Sequence, residues 1–173
     1  MEPVSDSLII AVRAIFSAYA GYSHGKFADT DRGVREEVKR RARMLSNHVT
    51  NIHETAHEGR QRKARREAEK VSEICTQLQY DARYSISRSP HTVHEGIGKM
   101  NKKSIKKLID HDLSTLQRLV KCTNKVNEIT DAQTNGAEEG DVVVALSELK
   151  QMCTGTKNHF LERNMLIDGL TKR

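Results

Sequence analysis

Apolar residues fall at Val38, Ala42, Leu45, Val49, Ile52 and Ala56, alternating steps of four and three that put all six on one stripe of an α-helix. A second stripe, Ala64, Ala68, Val71, Cys75, Leu78 and Ala82, keeps the same spacing but is out of phase with the first. The phase changes across "HEGRQRK", where Gly59 separates the two blocks. Such a change fits either an antiparallel hairpin at Gly59 or one long helix whose buried face rotates. Gly59 is the only loop-forming residue there, and the Arg, Gln, Lys and Ala around it are good helix formers. The pattern therefore predicts one mostly continuous helix over 32–86, with Asp31 as its N-cap and Glu36 and Glu37 near its positive end.

Three further helices follow from the same reading. Residues 6–20 carry a broad apolar surface broken only by Arg13 and Ser17. Residues 101–132 show a wide stripe running from Ile105 to Ile129, and 141–170 carry Val142, Leu146, Leu149, Cys153, Thr156, Phe160, Ile167 and Leu170 at heptad-like spacing. "GYSHGKFADTDRG", "SRSPHTVHEGIG" and "DAQTNGAEEGD" read as connections from their Gly, Pro and short polar residues. No stretch has a strand's alternation. The expectation is an all-α protein: a single domain over 1–173, an elongated helical bundle of four to five helices with one long basic helix. Heptad-like seams also leave a coiled coil or other self-association open.

Composition supports this. Hydrophobic residues make up 36% of the chain and aromatics 4%, with no Trp, so the core must be built from aliphatic side chains, as in helix-on-helix packing. Cys75, Cys122 and Cys153 form an odd set without C-x-x-C spacing, which reads as reduced, partly buried thiols in an intracellular protein, cytoplasmic or nuclear. The run from Leu8 to Ala20 is interrupted by Arg13 and shorter than the ~20 residues a membrane span needs. Glu2 and Asp6 precede it where a secretory signal carries positive charge, so a membrane is not the expected partner.

Charge adds the first hint of function. The formal net charge is +6, and Arg32 to Lys70 alone contains 12 Lys/Arg against 6 Glu, leaving the rest of the chain neutral. The cations concentrate at Lys39, Arg40, Arg41 and Arg43, at Arg60, Arg62, Lys63, Arg65 and Arg66, and at Lys102, Lys103, Lys106 and Lys107; Glu128 to Glu148 is acidic. Such stretches can neutralise phosphates and release counterions, with Arg binding phosphate oxygens in a bidentate manner. They can equally be solvated helix faces paired with the acidic segment. Only Tyr80 and Tyr84 lie near the basic stretches, so a nucleic acid would be held by its backbone rather than read by its bases.

One motif names a chemistry. His53-Glu54-Thr55-Ala56-His57 fits the H-E-x-x-H pattern, in which two His one helical turn apart share a metal and the Glu acts as general base. Glu58 and Gly59 follow the second His where a peptidase helix continues with uncharged and apolar residues, and no third ligand stands at a known spacing. Glu54-x-x-His57 also matches the Glu-x-x-His element of di-iron bundles, but no second such element occurs in the chain. "HETAHEGRQ" is locally similar to the His-x-x-x-His-x-Gly stretch of DinB-type metal-binding bundles. In that family the pair lies late in the chain, so no ligands carry over. "VREEVKRRARMLS" and "DHDLSTLQRLV" resemble stretches of translin-type nucleic-acid-binding helical proteins, without the acidic cluster of that family's nucleases.

The expectation from sequence is a non-enzymatic basic helical protein that binds nucleic-acid backbone through the three lysine and arginine clusters, alone or as an oligomer or helical assembly, without a cofactor. One alternative is a helical protein-interaction or scaffold bundle whose seams bind partner helices. The other is a bundle holding a divalent metal on His53, Glu54 and His57.

Overall fold

A computed structural model of the chain describes residues 27–84 and 102–171. These form four helices: α1 (Phe27–Glu58), α2 (Arg62–Tyr84), α3 (Lys102–Thr134) and α4 (Glu139–Thr171). No strand occurs among the described residues, and the fold is the all-α bundle that the periodicity predicts. No helix among them is long and apolar enough to cross a membrane. The expected helix over 6–20 and the connection around Pro90 lie outside the described residues.

α1 and α2 pair along their length, as do α3 and α4; α2 also packs on α4, and α1 on α3. Lys150 Nζ to Glu67 Oε2 (2.9 Å) and Lys157 Nζ to Gln77 Oε1 (2.7 Å) show that α2 and α4 run in the same direction. The α1–α2 turn and the α3–α4 connection therefore share one end of the bundle. Every residue of the two stripes from Val38 to Ala56 and from Ala64 to Ala82 is buried. Because the heptad seams meet one another inside a single chain, they are covered without a partner helix.

The single helix expected over 32–86 is not formed. The chain reverses after Glu58, and α2 returns antiparallel to α1, with Ser46 Oγ 3.2 Å from Ser72 Oγ across the pair. A Schellman turn closes this reversal in very few residues: Gln61 N–H donates to Ala56 O (2.8 Å) and Arg60 N–H to His57 O (3.1 Å). The motif satisfies the last carbonyls of α1 without a longer loop, which is why a stretch of good helix formers can still turn. The α3–α4 connection repeats it, with Ala137 N–H on Ala132 O (2.9 Å) and Gly136 N–H on Gln133 O (3.0 Å).

The two turns differ at one position. The left-handed residue is Gly136 (φ 79°) in the second turn but Arg60 (φ 57°) in the first, with Gly59 one place too early to relieve it. A Cβ at Gly59 would meet only ordinary contacts, the nearest being Thr55 O at 3.4 Å. A left-handed non-glycine residue costs about 1–2 kcal/mol, and glycine in a helical position costs about 1 kcal/mol against alanine. The exchange Gly59→Ala/Arg60→Gly is therefore expected to stabilise the protein by about 1–2 kcal/mol. An unchanged or lower urea midpoint would show that the φ of Arg60 carries no strain.

α2 starts without a capping side chain of its own, since Gln61 precedes it. The cap comes from α4: Glu139 Oε1 accepts from Lys63 N–H (2.7 Å) and Ala64 N–H (3.4 Å). Asp31, expected as an N-cap, lies inside α1 instead and is buried. Its carboxylate joins a polar layer at the other end of the core. Asp31 Oδ2 accepts from Arg35 Nε (2.9 Å), Asp31 Oδ1 from Arg163 Nη1, and Asp112 takes both Nε (2.7 Å) and Nη2 (3.1 Å) of Arg163. All four side chains are nine-tenths or more buried. Burial alone would raise the Asp112 carboxyl, but Arg163 and His111 outweigh it and hold it below the usual range.

The three cysteines are fully rather than partly buried, at one level of the core on α2, α3 and α4. The Cys122 thiol is pushed far up, first by its hydrogen bond with Cys153 and then by burial. Cys153 is also raised: the contact with Cys122 lowers it, and Cys75 together with burial outweighs that effect. The Cys122 and Cys153 thiols stay protonated, and all three side chains function as small apolar core residues.

Candidate functional site

The fold distributes the three cation clusters. Arg60, Arg62, Lys63, Arg65 and Arg66 occupy the α1–α2 turn and the first turns of α2, five cations within seven residues. Lys102, Lys103, Lys106 and Lys107 begin α3. α1 and α3 run in the same direction, with Gln133 Nε2 reaching Ile52 O at 3.4 Å, so the lysines sit at the opposite end of the bundle. At 1.5 Å per residue the two clusters are about 40 Å apart. They cannot form one compact patch.

The third cluster, on α1, is largely engaged. Lys39 pairs with Glu36 (2.5 Å), and Arg40 (2.8 Å) and Arg41 (2.6 Å) both bond to Glu37. Burial opposes ionisation of Glu37, but the two guanidiniums outweigh it and hold the carboxyl below the usual glutamate range. Arg41 is buried, so its charge belongs to the packing of the bundle; Arg43 is exposed.

At the turn, Arg60, Arg62, Lys63 and Arg66 are exposed, and none has a side-chain ion pair among the described residues. Arg65 is half-buried, and its Nε is buried without a hydrogen-bond partner. The acidic segment comes to the same end of the bundle. Its closest engagement there is the Glu139 cap, which binds backbone N–H groups and leaves the cationic side chains unneutralised. Glu67 nearby is held below its usual range by Lys70 (2.5 Å) and Lys150 (2.9 Å), against the opposing effect of burial. Tyr80 and Tyr84 meet at a 43° tilt with ring centroids 4.4 Å apart and Arg83 over the Tyr84 ring, but they sit at the far end of α2. Base stacking there is remote from the turn.

The structure does not bring His53, Glu54 and His57 together as a ligand set. His53 turns across the hairpin to Glu69 (3.2 Å), and Glu54 and His57 are exposed. One other set does converge among the described residues: His111, His159 and Glu162 each present a ligand atom within 4.8 Å of the others. His111 projects from α3, His159 and Glu162 from consecutive turns of α4, and the two rings stack with centroids 4.1 Å apart at 22°. Burial first, then His111 and Arg118, hold the His159 imidazole below its usual range. The sequence carried a faint sign of this group in the His-x-x-Glu spacing of 159 and 162, one helical turn apart. Its third member, 48 residues away on α3, is visible only once the helices are paired.

Comparison with protein-family models, with curated proteins and with solved structures finds no match.

Proposed function

We propose that the protein is a non-enzymatic helical bundle that binds nucleic-acid backbone through its α1–α2 turn. The observation that carries this reading is the exposure of Arg60, Arg62, Lys63 and Arg66 without ion-pair partners among the described residues. A cation already held by a carboxylate gains little from a phosphate, because one partner is exchanged for another. Lys39, Arg40 and Arg41 fall in that class. The four turn cations do not, and they project from a rigid reversal between two packed helices, which limits the entropy lost when they engage a ligand.

The contact would be to phosphates and independent of sequence. Arginine forks suit phosphate oxygens, and among the described residues no exposed Phe or Tyr lies beside the turn to stack a base. Among the described residues, the seams of α1 and α2 are buried within the chain itself, which favours the turn over a helix seam as the binding surface.

The test is a mobility-shift titration with random-sequence single- and double-stranded DNA and RNA at two salt concentrations. Engagement of four phosphates predicts a log–log salt slope of about −3 to −4. Absence of binding at low salt, or a slope near zero, would overturn the proposal.

A further inference from the structure

Three ligand-type side chains on two helices meet beside the buried polar layer, and their hydrogen bonding leaves lone pairs uncommitted. His111 Nε2 lies 2.8 Å from the His159 carbonyl oxygen, so this nitrogen carries the hydrogen and donates it. Whenever the ring is neutral, its other nitrogen, Nδ1, carries the lone pair. The His111 side chain is only 8% exposed, and Nδ1 is buried without a hydrogen-bond partner; the nearest Asp112 oxygen is 3.8 Å away. His159 Nε2 is also buried without a partner, while its Nδ1 faces Glu162 Oε2 at 3.6 Å. Buried polar atoms are normally satisfied, and a pair left open on facing rings needs a physical reason.

We infer that His111, His159 and Glu162 form a binding site for a divalent transition-metal ion of the zinc class. Two imidazoles and one carboxylate are a donor set for borderline cations, whereas magnesium and calcium take oxygen donors. The bond from His111 Nε2 to a backbone carbonyl is the outer-shell contact that fixes the tautomer and orientation of a metal-bound histidine. Asp112, beside His111, is itself fixed by Arg163. Donor atoms on a tetrahedral ion at 2.0–2.1 Å stand about 3.3 Å apart, so closure from a spread of up to 4.8 Å requires the ligands to draw in by up to about 1.5 Å. Glu162, whose side chain is 57% exposed, has the freedom to make that movement. Three protein ligands leave a fourth position for water or an incoming group. Glu162 and Asp112 contribute negative charge nearby, and Arg118, which faces His159, opposes the ion. The site lies toward the opposite end of the bundle from the basic turn and does not depend on it.

The full chain, without an affinity tag and stripped with a chelator, is titrated with Zn2+ alone by calorimetry and with Co2+ by visible absorption. One equivalent per chain is expected, with the d–d bands of a four-coordinate Co2+ centre. Glu162→Gln should weaken Zn2+ by at least about tenfold with the helical circular dichroism unchanged, and His159→Ala by about 10–100-fold. His53→Ala should leave affinity unchanged. Failure of His159→Ala to fold would leave Glu162→Gln to decide, because its side chain is largely exposed. The site is refuted by sub-stoichiometric binding, by Glu162→Gln affinity equal to the parent's, or by loss of binding in His53→Ala.

Discussion

Arg163→Met is expected to lower the unfolding free energy by about 3–5 kcal/mol. Methionine nearly fills the volume, so little of the loss comes from a cavity. The cost comes from the partners left behind: Asp112 loses both of its bonds to the guanidinium, and Asp31 loses one of its two cationic neighbours. A second substitution separates this account from simple loss of attraction. In Arg163→Met/Asp112→Leu the carboxylate that lost the guanidinium is gone, while Asp31 keeps Arg35 at 2.9 Å. Urea unfolding should therefore show the double variant to be more stable than Arg163→Met alone. A double variant less stable than the single would mean that the attraction within the network, rather than the cost of isolating a charge, sets the loss.

The polar layer also specifies alignment. Asp31 and Arg35 extend the α1 seam backwards from Val38 in steps of three and four, and Arg163 extends the α4 seam from Phe160 by three. Charged side chains thus occupy positions that the heptad pattern reserves for the core. Sliding one helix by a heptad would set these charges against the apolar layer of Val38, Leu78, Leu116 and Phe160. A buried polar group at a seam position that fixes register is a known use of such residues in coiled coils.

That layer also shows what sequence periodicity can and cannot reveal. Spacing identified the apolar stripes of all four described helices, because burial of a stripe is a property of a single helix. It passed over Arg163 and Asp112, because a lone charge at a seam position is assigned to solvent unless its partners are known, and it read Asp31 as an N-cap. Those partners are 51 and 132 residues away in sequence. Reversal at residues 59–61 was hidden for a related reason. The turn is closed by backbone hydrogen bonds, and its left-handed position falls on Arg60, which carries no local turn signal. Likewise His53 and His57 had a familiar spacing but turn to different surroundings, while His111 and His159 meet only through the packing of α3 on α4.

Charge reversal at the turn, Arg60→Glu/Arg62→Glu/Arg66→Glu, is expected to weaken binding to random-sequence nucleic acid by roughly 10²–10³-fold at low salt, at about 1–1.5 kcal/mol for each lost charged contact. The log–log salt slope should become shallower by about 3, because each lost phosphate contact releases about one counterion fewer. All three side chains are exposed and none is ion-paired among the described residues, so helicity and the urea midpoint should change little. The same substitution at the other end of the bundle is the informative comparison. Lys106 and Lys107 are exposed cations about 40 Å away, and Lys106→Glu/Lys107→Glu alters the global charge without touching the turn. If the turn is the contact surface, this pair should reduce affinity only through the long-range field, an effect that salt screens within about 10 Å. An equal loss of affinity from the two sets would mean that binding follows net charge and has no particular site. A loss confined to the lysines would move the contact to the start of α3. Arg40→Glu would serve poorly as a control, since it breaks the bond to Glu37 and adds a second carboxylate beside it, disturbing the α1 surface and the charge together.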